Sequence, residues 1–176
     1  MHNRIIFFSA LSLTLFSCTK DVGEIPEGGT TGLASITTDA KLWDYTKSQT
    51  HYYYYKNDSI DKIVSTSGFH KGSYFLEFNA KAKSVLGSDG KLPSGSTFPD
   101  SSLAIKALYT NGSTPAMYAV ILKNSKSAFA SGGWMWAIFN PDGSVITSIT
   151  QSGSSCNIAG CHSGGRDHLL TFDAHP

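Results

Sequence analysis

Arginine is almost missing from this chain, net charge is close to zero, and only one apolar run is long; each shortage closes off a class of function. Arg4 and Arg166 are the only arginines among 176 residues. A planar, bidentate clamp on phosphate or carboxylate therefore has a single place in the body of the protein, at Arg166. Lysine and arginine number 14 against 13 aspartate and glutamate, and loss of Arg4 with the leader described below makes them equal. Binding along a phosphate backbone needs a basic excess, so nucleic acid is excluded as a partner. The apolar run, Ile5 to Phe16, is too short to cross a bilayer as a stable span. There is no internal repeat and no heptad pattern. Cysteines number three, and they carry most of the functional signal.

The first of them belongs to the leader. Arg4 followed by the apolar run reads as a secretory signal peptide. Leu15-Phe16-Ser17-Cys18 resembles a bacterial lipobox, in which cleavage before the cysteine is coupled to acylation of its thiol. Residues 1–17 are then a lipoprotein signal peptide, and Cys18 is the lipidated N-terminus that holds the protein to a membrane. Several acyl chains hold far better than the single chain that binds reversibly. The expected location is the bacterial cell envelope, lipid-anchored and facing the periplasm or the cell surface. Residues 18–34, rich in Gly, Thr, Glu and Pro, bury too little to order themselves and read as a flexible tether. Residues 35–176 are long enough for one domain with a real core.

The other two cysteines form a C-x4-C-H run, Cys156 to Cys161 with His162 adjacent. In the c-type haem attachment motif C-x-x-C-H, two thiols form thioethers with the haem vinyls and the adjacent histidine ligates iron. Here the loop between the anchors is longer by two residues, and its Ala159 and Gly160 let backbone approach a flat ring. A rival reading is a small disulfide between Cys156 and Cys161 in an oxidising compartment. A zinc site of Cys156, Cys161, His162 and His168 is also drawable, against the tighter knuckles and reduced compartments such sites favour. Composition alone leaves haem and disulfide level.

Along the domain, Thr38 and Asp39 open a helix to Gln49, and Tyr52 to Tyr55 suit a strand. Tyr74 to Phe78 is a second strand, after which Asn79 caps a short helix through Leu86. Gly87 to Pro99 is a turn-rich loop. Leu103–Tyr109, Met117–Lys123 and Trp134–Phe139 follow as strands in close order, the last closed by Asn140-Pro141-Asp142-Gly143, a spacing that favours antiparallel neighbours. Ser125 to Phe129 is a candidate short helix, Val145 to Ile149 a last strand, and Gln151 to Ser155 a polar connection into the cysteine motif. The class is α+β: a mostly antiparallel β-sheet with a few short helices and the haem-binding segment near the C-terminus.

In order along the chain, Phe98-Pro99-Asp100, Leu103 to Leu108, Gly133-Trp134 with aromatics to Phe139, the cysteine motif, and Asp167 followed by Leu169-Leu170-Thr171-Phe172 resemble the landmarks of the cytochrome P-460 family, which includes the cytochromes c-prime-beta. The resemblance implies a mostly antiparallel domain holding one c-type haem (haem c, with its iron), histidine below and an open face above. It implies Cys156 and Cys161 as thioether anchors and His162 as the proximal ligand. Lys106 falls where hydroxylamine-oxidising members carry a lysine cross-linked to the haem. On a strand where Leu103, Ile105, Ala107 and Tyr109 share one face, Lys106 lies on the other with Ala104 and Leu108; without the resemblance, a lysine there reads as snorkelling to solvent.

Three functions follow. The first is a small-ligand haem protein that binds nitric oxide or passes electrons to a redox partner. The second is an oxidoreductase acting on hydroxylamine or a similar nitrogen compound. The third is a haem-free lipoprotein stapled by Cys156 and Cys161. Turnover needs a positioned proton acceptor, for which Glu77 is the one strand carboxylate, although a solvent-facing position suits it better. Met117, Met135, His51, His70, His168 and His175 are the remaining candidates for a sixth iron ligand; Met135, between Trp134 and Trp136, reads as core filler, His168 equally as a group at the haem edge or a surface residue, and His51, His70 and His175 as surface residues. Whether the domain forms a homodimer is left open.

Overall fold

A computed structural model describes residues 30–49, 52–55, 63–65, 72–110, 112–157 and 161–169. The leader, Cys18, most of the tether, His51, His70, His175 and the motif's inner residues 158–160 lie outside them. Among the described residues the fold is a seven-stranded antiparallel sheet with short helices packed on it, which is the α+β class expected. The strands are β1 (Tyr52–Tyr54), β2 (Ile63–Ser65), β3 (Gly72–Asn79), β4 (Leu103–Tyr109), β5 (Met117–Lys123), β6 (Trp134–Phe139) and β7 (Val145–Thr147). They run β1-β3-β4-β5-β6-β7 across the sheet. β2 shares the outer edge of β3 with β1: β1 pairs Glu77 to Asn79 and β2 pairs Gly72 to Tyr74.

Because strand side chains alternate with a period of two, register alone sorts residues onto faces. Leu76, Lys106, Ala119 and Ile138 pair successively across four strands, as do Phe78, Ala104, Ile121 and Trp136. Leu76, Phe78, Ala104, Ile121 and Trp136 of these rows, with Tyr74, Leu108 and Trp134, belong to one core. Leu103, Ile105, Val120, Leu122, Met135 and Phe139 make a second core on the opposite face. β4, β5 and β6 are thus apolar on both sides. That is why they read as continuous hydrophobic runs and not as alternating ones.

Helices α1 (Thr30–Leu33) and α2 (Asp39–Ser48) cover the second face. Thr38 caps α2, its hydroxyl accepting from Lys41 N at 3.3 Å, and Leu42 is fully buried beneath it. Leu33 is also buried, and its carbonyl accepts from Asn124 Nδ2 at 3.1 Å. The packed core therefore starts just inside the stretch read as tether. Asn79 caps α3 (Ala80–Lys83) and ties the end of β3 to the start of β4: its Oδ1 accepts from Ala82 N and Leu103 N, each at 3.0 Å.

Three local expectations change. Ser125 to Phe129 forms turns, not a helix, because Ser125 is held outward by Asp100, whose carboxylate accepts from its N–H at 2.8 Å and its hydroxyl at 2.9 Å. The last strand stops at Thr147, and the segment read as a polar connection is helix α4, Ile149–Cys156. Small residues are weak helix formers, but α4 is nucleated from outside. Ser148 accepts from Thr150 N at 3.2 Å, Asp39 Oδ1 accepts from Ile149 N at 2.7 Å, and Ile149 is buried. β2 was not anticipated. No described helix is long and apolar enough to cross a membrane.

Candidate functional site

The first face of the sheet does not close completely. Where Ala104 and Ala119 stand beside Lys106 and Ile121, short side chains leave a narrow apolar cleft. Its floor is Leu76, Ala104, Lys106, Ala119, Ile121 and Trp136; its walls are Tyr74, Cys156, His162 and Leu169. The fold thus brings Lys106, Cys156 and His162 to one apolar space, though they come from β4, the end of α4 and the segment after it.

Lys106 points into the cleft. It is 9% exposed, and among the described residues no hydrogen-bond partner reaches its Nζ. The ammonium lies 3.9 Å from the centroid of the Tyr74 ring, an electrostatic contact that partly offsets desolvation. Burial pulls its pKa down from 10.5 to about 8, and burial, with Tyr55 nearby, pushes the Tyr74 hydroxyl up to about 12. In the haem-free chain the unfolded state thus holds more protons than the folded one between about pH 8 and 10.5, so stability rises with pH across that window. Lys106→Met is therefore expected to stabilise the haem-free chain most below about pH 8, with the gain fading toward pH 10.5. Urea midpoints for the two proteins at both ends of the window check this.

Cys156 ends α4 half-buried, packed on the first core, while Cys161 is exposed. His162 begins a 3₁₀ turn, His162–Gly164, with its ring 4.6 Å from that of Trp136 at an interplanar angle of 61°. Its Nδ1 lies 3.0 Å from the backbone oxygen of His168. A carbonyl can only accept, so this bond places a proton on Nδ1, and in the neutral ring the lone pair is then on Nε2. That tautomer is the one a metal-ligating imidazole uses, its other nitrogen donating to a carbonyl.

The His168 carbonyl is aimed by an uncommon backbone. Asp167 and His168 are both left-handed, with φ of 47° and 64°, a conformation that persists in non-glycine residues only when surroundings impose it. Here they do. Asp167 Oδ2 accepts from Phe98 N, its Oδ1 pairs with Lys123 Nζ, and its carbonyl accepts from Trp134 Nε1, each at 2.7 Å. His168 Nδ1 lies 2.6 Å from Asn157 Oδ1, and Asn157 Nδ2 donates to Ser131 Oγ at 3.0 Å. Arg166 donates to Leu92 O at 2.7 Å. The single arginine of the domain therefore helps to hold this strap.

Other expected positions fall elsewhere. Glu77 pairs with Ile105 and lines a cleft on the opposite face, so it is no proton acceptor for this site. Met135 is fully buried in the second core, away from the cleft. Met117 packs on the first core without lining the cleft. His168 presents its carbonyl to His162 and its ring to Asn157. No three His, Cys, Asp or Glu side chains gather as a metal site among the described residues, so Cys156, Cys161, His162 and His168 do not come together as zinc ligands. Missed in the sequence were Asn157, treated only as spacing inside the motif, and the carboxylate of Asp167.

A model of the cytochrome P-460 family matches residues 34–172. The chain belongs to the cytochrome P-460 family. No curated protein matches the chain. Family membership implies a haem cofactor, and the chemistry of the residues lining the cleft suits one. The cleft offers apolar walls, a thiol at its edge, an imidazole whose Nδ1 is hydrogen-bonded to a carbonyl, and a buried amine lacking a hydrogen bond among the described residues. Asp167 does not line the cleft; it shapes the strap that orients His162.

Proposed function

We propose that the chain is a lipid-anchored, extracytoplasmic c-type monohaem protein that binds a small neutral ligand such as nitric oxide, or passes electrons, at a haem held in the Lys106–His162 cleft. The observation that carries the reading is the His162 tautomer beside an apolar cleft, together with a thiol on either side of the widened motif. In this reading Nε2 of His162 ligates iron, and Cys156 and Cys161 bond the haem edge. Bound haem supplies a one-electron centre with an exchangeable ligand position. The chain does the rest. The His168 carbonyl, accepting from Nδ1, raises the basicity of the ligating nitrogen and fixes the ring's rotation. Leu76, Ala104, Ala119 and Ile121 exclude water and favour an uncharged ligand. The leader and Cys18 support anchoring in the bacterial envelope, with the tether giving reach to a redox partner.

A second reading, an oxidoreductase acting on hydroxylamine or a similar nitrogen compound with Lys106 linked to the haem, is favoured by one observation: the amine is buried in the cleft, without a hydrogen bond, and partly deprotonated near pH 8. Two experiments separate the possibilities. With c-type maturation machinery supplied, the wild type is expected to give a pyridine haemochrome with both vinyls saturated. Cys156→Ser or Cys161→Ser is expected to give a red-shifted band from one remaining thioether, or no haem. A wild-type spectrum unchanged by either substitution contradicts the assignment. Lys106→Ala then decides between the readings: an unaltered ferrous Soret band supports ligand binding or electron transfer, and a band that moves to shorter wavelength supports the cross-linked enzyme.

A further inference from the structure

The opposite face of the sheet carries a second cleft, of about 310 Å³ and open to solvent, between α2 and strands β3 to β5. Nothing in the haem reading uses it. Its depth comes from Ala107, which pairs with Tyr118 on β5 and is small enough to leave a hollow between that ring and the neighbouring row. Glu77 enters from that row, opposite Ile105. Trp43 of α2 closes the other side, its ring centroid 5.7 Å from that of Tyr118 at 52°, and Tyr109 adds a third aromatic wall.

Glu77 is the anomaly. It is half-buried, and among the described residues no hydrogen bond or ion pair reaches its carboxylate. Desolvation raises its pKa, and burial followed by the charge of Glu77 raises that of Tyr118, which lines the same cleft. The one cation lining the cleft among the described residues, Lys47, lies at its outer rim. Lys47 pairs with Asp44 at 3.1 Å on the exposed side of α2 and sits 5.8 Å from the Trp43 centroid.

A carboxylate set among aromatic faces selects its counter-ion by hydration. A divalent metal needs several oxygen ligands and holds its water, and only one carboxylate is present among the lining residues. An anion is repelled. A weakly hydrated ammonium with methyl groups meets both demands at once, its charge facing Glu77 and its methyls against the ring faces. We propose that this cleft binds a small methylated ammonium ion, with Glu77 as counter-ion and Trp43 and Tyr118 as walls. The proposal is independent of the haem.

Calorimetric titration of the whole mature protein with tetramethylammonium chloride, against sodium chloride at matched ionic strength, tests it. Saturable binding is expected, and choline is expected to bind at least about tenfold more tightly than its uncharged isostere 3,3-dimethylbutan-1-ol. Glu77→Gln is expected to weaken tetramethylammonium binding by about tenfold or more, and Lys47→Met to leave it equal or stronger. Absence of saturation, equal affinity for choline and the isostere, or unchanged binding in Glu77→Gln would overturn the proposal. So would binding seen only in Lys47→Met, because Lys47 would then be the cleft's own cation. Should Glu77→Gln fail to fold, the isostere comparison on the wild type decides alone.

Discussion

Asp167→Ala is expected to be the most damaging single substitution in the C-terminal segment, costing about 3–5 kcal/mol. The Asp167 and Lys123 side chains are only 6% and 10% exposed, so removing the carboxylate leaves a buried ammonium without its partner. It also strips Phe98 N of its acceptor, and an unsatisfied buried N–H adds to the cost. For a domain of this size the loss corresponds to a melting temperature lower by on the order of 10 °C. The consequence reaches the cleft, because the left-handed pair Asp167-His168 would relax and the carbonyl that accepts from His162 would turn away. Lower haem content in Asp167→Ala than in the wild type, after identical export and maturation, is the second readout. Replacing the pair together, Asp167→Leu with Lys123→Met, should recover much of the stability, since no charge is left stranded, while failing to restore the strap. Thermal melts of the three proteins separate the two effects. A melting point in Asp167→Ala equal to the wild type would contradict the packing described here.

His162→Ala is expected to keep haem on the chain but change its absorption completely. In the proposed arrangement the covalent bonds lie at Cys156 and Cys161, and His162 contributes the iron bond alone. The space left by the imidazole lies against Trp136. Added imidazole should therefore enter it and restore most of the wild-type spectrum, accepting its orientation from the His168 carbonyl. Substitution at His168 itself, His168→Ala, should leave ligation intact, because that residue acts on His162 through its backbone; the lost bond to Asn157 is expected to cost about 1 kcal/mol. A His162→Ala spectrum identical to that of the wild type would assign the iron to another residue.

The sheet was legible because β3 to β6 are largely apolar and aromatic runs separated by turn residues, and their ends were read to within two residues. The face of Lys106 followed from the period of two. Short elements were not legible. β2 is three residues long, and its identity depends on β3 being there to pair with. α4 contains Gly and Ser in place of helix formers, and its start is set by Asp39, far away in the chain. Of the candidate site, the sulfur and imidazole residues stood out because their types are rare and closely spaced. The positioning residues did not. Asn157 and Asp167 act through hydrogen bonds to groups between 11 and 69 positions away, and nothing in their local sequence marks that. The same limit applies to Glu77, whose unpartnered state is visible only once α2 and β5 are seen closing around it.

The central claim, haem bonded to Cys156 and Cys161 beneath His162, is tested most directly by the intact mass of the mature protein, exported with c-type maturation machinery and measured after denaturation and reduction. The account predicts the polypeptide plus one haem, unaffected by reductant. A mass equal to the bare acylated polypeptide, with a disulfide between Cys156 and Cys161 before reduction, would contradict it.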